Sequence, residues 1–299
     1  MILQKRKKKS KIQRILAFLL MVIIFVLAYK SIMMHRGWNL FDSLHSPNAI
    51  LIRLSDHTLL MQKNSEEEIY PASLTKMMTA IVAIENLPNL QEKIKLPNSM
   101  FQGLYYTDAT MAGFQPDEQV KAIDLLYGVL LPSGAECCIG LAHKIAGSEQ
   151  NFVKLMNQKA TDLGMNNTHY ENVTGLHDKN HYTTVKDLAT LTSYALQDDT
   201  FREIFTSSRY STQPTDKHPN GITFYSTMFT KLNDPSIVDG KILGGKTGYT
   251  NEAGLCLASL AKKDGKEYVL VTAGAKGNPK SKQYNITDAL EVYNSLGKK

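Results

Sequence analysis

The sequence is poor in cysteine and tryptophan, with three cysteines and one tryptophan among 299 residues. Three cysteines cannot form the disulfide framework on which small secreted domains depend. The composition also excludes a disordered chain, a collagen-like repeat and a protein with many membrane spans, since 43% of the residues are hydrophobic and 21% are charged. The length allows one large domain or two small ones, with enough core to be stable without cross-links.

Acidic residues are absent from positions 1–30, which carry eight lysine and arginine side chains. The rest of the chain holds 26 basic and 28 acidic side chains, so the formal net charge of +6 comes from the amino-terminal segment. A faintly acidic remainder offers no general electrostatic footprint for a phosphate backbone. We therefore predict no nucleic-acid partner.

An uncharged apolar run at positions 15–29 follows the basic cluster. A membrane-spanning helix needs roughly 20 apolar residues, a length that the run reaches with its flanking apolar residues and a snorkelling Lys30. Residues 1–34 are therefore predicted to be a cytoplasmic basic tail and a membrane anchor. A signal peptide cleaved after Ala28 is the alternative. Both interpretations place the residues that follow on the far side of the membrane.

Strand patterns at both ends of the chain and helical periodicity between them follow a linker predicted at residues 35–47. The expected fold class is α+β, with an antiparallel β-sheet flanked by helices and an all-helical subdomain at about residues 85–215. Two hairpins are predicted, at residues 48–54 with 58–62 and at residues 255–261 with 268–273. Helices are predicted at residues 120–131, 136–145, 150–163, 186–196 and 283–296.

A Ser-x-x-Lys motif places Ser73 and Lys76 on one face of a predicted helical turn. A neutral lysine at that distance can take the proton of the serine hydroxyl and make it a nucleophile, and the helix start favours an oxyanion. The alternative is that Ser73 simply caps the helix. The same spacing recurs at Ser259 and Ser295, which we interpret as an exposed strand end and a terminal residue.

A second motif, Lys246-Thr247-Gly248, precedes Tyr249 in a glycine-rich stretch. The charge of the lysine and the hydroxyl of the threonine can bind a carboxylate, and glycine lets the substrate approach the backbone closely. The alternative is a glycine-rich turn with a solvated lysine.

A third motif, Ser133-Gly134-Ala135, lies in the turn between two predicted helices. A serine at this place can relay a proton between a base and a leaving group. The alternative is that Ser133 caps the helix that starts near Glu136.

The order of these three motifs resembles that of the penicillin-recognising serine acyltransferases. The residues around them are similar to those of the serine D-alanyl-D-alanine carboxypeptidases, the low-molecular-mass penicillin-binding proteins (peptidase family S11). The resemblance covers about residues 48–296, and it implies a β-lactamase/transpeptidase-like fold and a penicillin-binding catalytic domain at residues 48–299. It is carried by Tyr70-Pro-Ala-Ser-Leu-Thr-Lys-Met-Met-Thr79, Asn172 with Gly175-Leu176, and Lys246-Thr-Gly-Tyr-Thr250 with Ala253-Gly254.

The resemblance implies roles for the motif residues. Ser73 is the expected nucleophile, Lys76 its base, and Ser133 the group that passes a proton to the leaving D-alanine. A second set is expected to bind the substrate: Lys246 and Thr247 at its carboxylate, Gly248 beside it, and the backbone N–H of Tyr249, with that of Ser73, in the oxyanion hole.

The implied substrate is the pentapeptide stem of peptidoglycan, from which the terminal D-alanine is removed through an acyl-enzyme. β-Lactams are the expected inhibitors, and no metal or other cofactor is expected. The implied location is the outer side of the cytoplasmic membrane, held by a single amino-terminal anchor, because the carboxy-terminal anchor of some relatives has no counterpart here.

Ala135 departs from the middle motif of the family, which is usually Ser-x-Asn. The missing amide normally contacts the substrate and the catalytic lysine, so turnover or substrate preference is expected to change. A slow penicillin-binding or sensing module, a D,D-endopeptidase and a β-lactamase of the same fold therefore stay open. The Glu-x-x-Leu-Asn motif of class A β-lactamases does not occur in the sequence.

Two further patterns receive structural interpretations. His177 and His181 have a spacing that can bind zinc on a helix, but the glycine and aspartate around them favour a loop. The adjacent Cys137 and Cys138 are expected to be buried free thiols, because a disulfide between neighbours would be strained.

Overall fold

The structure, a computed structural model, describes residues 18–25, 41, 43–105 and 107–297. The contacts divide the chain into two units, Met1–Ser43 and Leu44–Lys299. In the first unit, residues 18–25 form a helix, α1. The remainder of the predicted anchor and most of the predicted linker lie outside the described residues. Of the helices that are described, none combines the length and the apolar character of a membrane span.

The second unit alternates between strands at its two ends and helices in its middle, as the sequence predicts. Its strands are β1 Asn48–Arg53, β2 Thr58–Lys63, β3 Lys93–Lys95, β4 Gln119–Lys121, β5 Arg209–Ser211, β6 Thr223–Tyr225, β7 Ser236–Ile237, β8 Gly240–Thr250, β9 Gly254–Lys263 and β10 Lys266–Ala275. Its helices are α2 Thr75–Asn86, α3 Phe101–Leu104, α4 Ala122–Leu130, α5 Ala135–Ala146, α6 Glu149–Asp162, α7 Val185–Ala195, α8 Asp199–Thr206 and α9 Tyr284–Ser295.

One antiparallel sheet joins the two ends of this unit. Its strand order is β2-β1-β10-β9-β8-β7, so the amino-terminal hairpin pairs through β1 with the last strand of the chain. Both predicted hairpins, β1–β2 and β9–β10, are confirmed. The predicted α+β fold, with a sheet built from both ends of the chain, is confirmed as well.

Helices cover both faces of the sheet at β9 and β10, which is why neighbouring residues in the middle of these two strands are equally buried. On one face Val269 and Val271 of β10 belong to the main apolar core, together with α2 and other helices. On the other face lies α9, whose Tyr293 hydroxyl contacts Ser259 of β9 at 3.0 Å. The prediction that Ser259 is an exposed strand end was wrong, because α9 covers it completely.

The middle of the unit is helical, with two small two-stranded sheets, β3–β4 and β5–β6. The five helices predicted from periodicity are present, with ends within two residues of those predicted. The boundaries of a separate helical subdomain stay a prediction, because Leu44–Lys299 form one unit by their contacts. The buried helix α2 runs through this region, and Met77 and Met78 are part of its core.

Candidate active site

Ser73 lies in a 3-10 turn, Ala72–Leu74, that leads directly into α2. Among the side chains that the structure describes, none caps this turn or α2, so Ser73 does not act as a capping serine. Its hydroxyl instead accepts a hydrogen bond of 3.2 Å from the amine of Lys76. The turn is also strained, since Ala72 has a φ of +46°. The predicted Ser-x-x-Lys pair is therefore in direct contact.

The amine of Lys76 is almost completely buried at the start of α2. It donates to Ser73 Oγ and, at 2.6 Å, to the carbonyl oxygen of Thr174. Burial lowers the pKa of Lys76, and the ionisable groups nearby, Glu136 among them, oppose this shift. Lowering the pKa favours the neutral amine, which is the form that can accept a proton from a hydroxyl.

The carbonyl group of Thr174 belongs to a tight loop that presses on the serine turn. The Asn172 side chain holds this loop, accepting from the backbone N–H of Thr174 at 3.1 Å and of Gly175 at 2.7 Å. Gly175 has a φ of +79°, and a Cβ atom added there would lie 1.8 Å from the carbonyl oxygen of Ala72. Only glycine permits this approach, which fixes the loop against the nucleophile.

Ser133 lies in the turn between α4 and α5 and has a left-handed backbone, with a φ of +72°. The residue that caps α5 is Gly134, so the capping role considered for Ser133 is not what the structure has. The hydroxyl of Ser133 accepts a hydrogen bond of 2.9 Å from the amine of Lys246.

Lys246 is fully buried on β8, so the alternative of a solvated lysine in a glycine-rich turn was wrong. Its amine also donates to the carbonyl oxygen of Thr247 at 2.9 Å. Burial, and then the charge of Lys76, hold the pKa of Lys246 well below its ordinary value. An anion that reached this amine would oppose both effects and favour the charged form.

The hydroxyl of Thr247 lies 2.7 Å from the hydroxyl of Thr227, a contact that no motif indicated. Thr227 is placed beside β8 because its backbone N–H donates to the carbonyl oxygen of Leu131, just before the Ser133 turn. The two threonine hydroxyls therefore form a pair on one side of the cleft.

The strand β8 passes directly beside the serine turn at Gly248. A Cβ atom added there would lie 3.1 Å from the carbonyl oxygen of Pro71 and 3.2 Å from the backbone nitrogen of Ser73. This close approach brings the backbone of Tyr249 to the mouth of the site, next to the nucleophile.

The motif residues border a cleft with two adjoining lobes that share Ser73 and Tyr249. One lobe, of about 260 Å³, is lined by Ser133, Thr227 and Thr247. The other, of about 520 Å³, is lined by Lys76 together with Thr174, Gly175 and Leu176. All seven residues predicted from the sequence for the site line this cleft or, in the case of the buried Lys246, contact a residue that does.

Ala135 occupies the place of the usual asparagine, and it is completely buried. Its methyl group offers no polar atom to the amine of Lys76. The carboxyl group of Glu136 turns away to the neighbouring loop, where it accepts from the backbone N–H of Gly113 at 2.7 Å and of Phe114 at 3.3 Å. Glu136 therefore does not replace the missing amide.

His181 has a structural environment, as the sequence predicts. Its Nε2 lies 2.8 Å from Thr75 Oγ1, and its Nδ1 accepts from the backbone N–H of Glu171. Burial lowers the pKa of His181 to about 4. The part of the chain that the structure describes holds no group of three or more His, Cys, Asp or Glu side chains suited to a metal ion.

The three cysteines, all of which the structure describes, are buried free thiols. This confirms the prediction for Cys137 and Cys138. Burial raises the pKa of Cys138 to about 12, so its thiol stays protonated near neutral pH.

The family model described as D-alanyl-D-alanine carboxypeptidase, peptidase family S11, matches residues 38–277. The chain belongs to this family. DacF, a D-alanyl-D-alanine carboxypeptidase of Bacillus subtilis, is 33% identical to it over 251 residues, which make up 82% of this chain and 61% of that protein. A D-alanyl-D-alanine endopeptidase of Pseudomonas aeruginosa is 30% identical over 231 residues, or 74% of this chain and 68% of that protein.

The fold is also that of solved members of the family. The crystal structure of the Streptomyces K15 DD-transpeptidase matches with a TM-score of 0.75 and 26% sequence identity, covering 84% of this chain and 97% of that one. The resemblance inferred from the motifs is thereby confirmed. The chain spans about three fifths of the length of the first curated relatives that it matches.

Proposed function

We propose that this protein is a serine D-alanyl-D-alanine carboxypeptidase that removes the terminal D-alanine from the stem peptides of peptidoglycan. The observation that carries the proposal is the pairing of two serine–lysine contacts across one cleft. Lys76 contacts Ser73 at 3.2 Å, and Lys246 contacts Ser133 at 2.9 Å. Family membership supports the same conclusion.

In the proposed acylation, neutral Lys76 takes the proton of the Ser73 hydroxyl as the oxygen attacks the carbonyl carbon of the penultimate D-alanine. The carbonyl oxygen becomes negatively charged, and the backbone N–H groups of Ser73 and Tyr249 stabilise it. Each such donor typically contributes about 10²–10³ in rate. The position of Lys76, buried with a lowered pKa, supports its role as the base.

The leaving group is the amine of the terminal D-alanine, which needs a proton as the peptide bond breaks. We assign this transfer to Ser133, which would give its own proton to the amine and take in its place the proton that Lys76 removed from Ser73. The Ser133 hydroxyl is already hydrogen-bonded to the amine of Lys246. The carboxylate of the same D-alanine would bind Lys246 and the hydroxyl of Thr247. That anion would keep Lys246 protonated, although burial alone favours its neutral form.

Water then attacks the acyl-enzyme, releasing the shortened peptide and restoring the hydroxyl of Ser73. A β-lactam presents a strained amide and a carboxylate in a similar arrangement, so it would acylate the same serine.

The test is incubation of the full chain with a labelled penicillin, followed by the intact mass. We expect one adduct on the wild type and none on the Ser73→Ala variant. An unmodified wild type, or an adduct that persists in the variant, would contradict the proposal. Release of D-alanine from a pentapeptide is then measured. An adduct without release would identify a slow penicillin-binding or sensing module, and rapid loss of the adduct as hydrolysed antibiotic would identify a β-lactamase.

A D,D-endopeptidase activity is the second candidate, because one relative that is 30% identical carries that name. The carboxypeptidase and endopeptidase reactions share the acyl-enzyme and differ in the leaving amine. Parallel assays on a pentapeptide and on a cross-linked peptide dimer compare the two rates directly. We expect the pentapeptide to react faster, and faster cleavage of the dimer would assign the endopeptidase activity instead.

We also propose an amino-terminal membrane attachment, with the catalytic domain outside the cytoplasm. The basic cluster within residues 1–30 and the apolar run that follows support it. The intact mass of the protein recovered from the membrane fraction tests this. A full-length mass is expected for an anchor, and a mass lacking the first 28 residues would indicate a cleaved signal peptide.

A further inference from the structure

Glu136 is a buried carboxylate that the proposed chemistry does not use. It lies in the first turn of α5 and is completely inaccessible to solvent. Its Oε1 accepts two backbone hydrogen bonds, from Gly113 and Phe114, whereas its Oε2 has no hydrogen-bond partner among the described residues. A buried carboxylate is costly unless its surroundings compensate the charge, so its presence beside Ser133-Gly134-Ala135 calls for a physical role.

The two hydrogen bonds of Glu136 tie the start of α5 to the wall of the cleft. The same loop is held again where the backbone N–H of Ala135 donates to the carbonyl oxygen of Thr110 at 2.8 Å. Packing at this contact is tight, since a Cβ atom added at Gly134 would lie 2.6 Å from that of Ala112. Thr110 itself lines both lobes of the cleft. Glu136 therefore fixes this wall relative to the Ser133 turn.

The charge of Glu136 acts on Lys76, a buried lysine of the same region. The amines of Lys76 and Lys246 are both buried, and within the described residues neither has a carboxylate within 4.0 Å. The groups that act on Lys76 at longer range are Glu136 and the thiols of Cys137 and Cys138. Burial keeps both thiols protonated. Burial raises the pKa of Glu136 as well, but hydrogen bonds from the backbone N–H groups of Gly113 and Phe114 favour its charged form and oppose that shift, so Glu136 is the member of this set best placed to carry a negative charge.

We propose that Glu136 is a positioning residue of the acylation reaction, holding the Thr110–Phe114 wall of the cleft against the Ser133 turn and supplying negative charge at longer range to the buried Lys76. This inference rests on the proposed function, because it assigns Glu136 a role in the reaction of Ser73. It also offers a reason why the motif tolerates Ala135: the turn is fixed by the residue that follows it.

Two substitutions separate the contributions of charge and of shape. Glu136→Gln keeps the length and the Oε1 acceptor but removes the charge. Without that charge the pKa of Lys76 falls further. In the plot of penicillin acylation rate against pH, the rate rises on the acidic side as Lys76 loses its proton, so this acidic limb should move to lower pH by about half a unit or more. Glu136→Asp keeps the charge but is one methylene too short to reach the backbone of Gly113. It should lower the acylation rate about tenfold and leave the acidic limb where it is.

Glu118 offers a matched control. It is also a completely buried carboxylate of the same loop region, and it accepts from the backbone N–H of Gln115 and from the side chains of Thr215 and His218. It is not among the groups that act on Lys76. Glu118→Gln should lower the melting temperature without moving the acidic limb. If Glu118→Gln moves the acidic limb as far as Glu136→Gln does, the shift comes from a general loss of stability and the proposal is overturned.

A measurement that does not depend on catalysis allows the role of Glu136 to be tested separately from the proposed function. The pH dependence of the melting temperature reports the protonation of buried groups even if no acylation occurs. A wild type that no penicillin modifies would refute the proposed function. A wild type that is acylated, with Glu136→Gln and Glu136→Asp matching it in rate, acidic limb and melting profile, would refute the role of Glu136 alone.

Discussion

The amine of Lys246 donates a hydrogen bond of 2.9 Å to the hydroxyl of Ser133, and Ser133 is held in a left-handed conformation with a φ of +72°. Such a backbone costs roughly 1–3 kcal/mol for a residue other than glycine. The fold keeps the turn in place through a hydrogen bond from the Gly134 N–H to the Gly128 carbonyl oxygen at 2.8 Å. The position of the hydroxyl is thus maintained at the expense of backbone strain.

Comparing Ser133→Ala with Ser133→Gly separates the hydroxyl from the backbone. Both variants lose the hydrogen bond with Lys246, so we expect both to slow D-alanine release by about 10²–10⁴, the range for a lost proton relay. Glycine also relieves the strain, and it should therefore melt at a higher temperature than the alanine variant. The measurements are the release rate and the melting temperature. If the glycine variant recovers activity, the backbone and not the hydroxyl is the group that matters.

Gly175→Ala should both destabilise the protein and slow acylation of Ser73. The new methyl group would meet the carbonyl oxygen of Ala72 at 1.8 Å, and the φ of +79° adds strain. We expect a loss of about 3 kcal/mol or more in the free energy of unfolding. Gly164→Ala is the control: it has a φ of +71°, but no described atom lies within 4 Å of the added methyl group, so about 1 kcal/mol is expected. Equal losses in denaturant titrations would show that the contact with Ala72 relaxes freely.

The motif residues could be predicted because each motif combines reactive or charged side chains at a fixed spacing in the sequence. Ser73 with Lys76 and the Lys246 motif were found in this way, and their order along the chain identified the family. Thr174 could not be found, because it contributes a carbonyl oxygen that any residue can provide. Thr227 lies in a stretch without a motif, and its contact with Thr247 depends on how two distant segments pack.

The sequence predicted the strands and helices better than it predicted how their layers pack on one another. A helical turn was predicted at Ser73 and Lys76, but Ser73 lies in a 3-10 turn that precedes α2 and does not cap it. The pattern around Ser259 resembles the reactive one, yet the same four residues lie in β9 beneath α9. The local sequence does not specify which layer covers a strand, so this could not be foreseen.

Ala135→Asn would place a polar side chain at the position that the resemblance assigns to asparagine. The amine of Lys76 has two acceptors in this structure, Ser73 Oγ and the Thr174 carbonyl oxygen, although a protonated amine can donate three hydrogen bonds. We expect the amide oxygen to accept the third bond and to raise the turnover of a pentapeptide several-fold. The steady-state rate of D-alanine release measures this, with Ala142→Asn on the same helix as a control for general destabilisation. An unchanged rate would mean that another group already fills the role.

The stability of the protein should fall in acid because of His181, which is buried against Thr75. Burial lowers its pKa from 6.5 to about 4, so between these values the unfolded chain binds a proton that the folded protein excludes. This contribution to stability is therefore complete above pH 6.5 and is lost as the pH falls to about 4, up to about 3 kcal/mol in total. His181→Gln removes the titrating group, so its melting temperature should fall less than that of the wild type between pH 7 and pH 4.5. His57→Gln, at an exposed turn, should retain the wild-type profile. Parallel profiles for the wild type and His181→Gln would show that other groups cause the acid sensitivity.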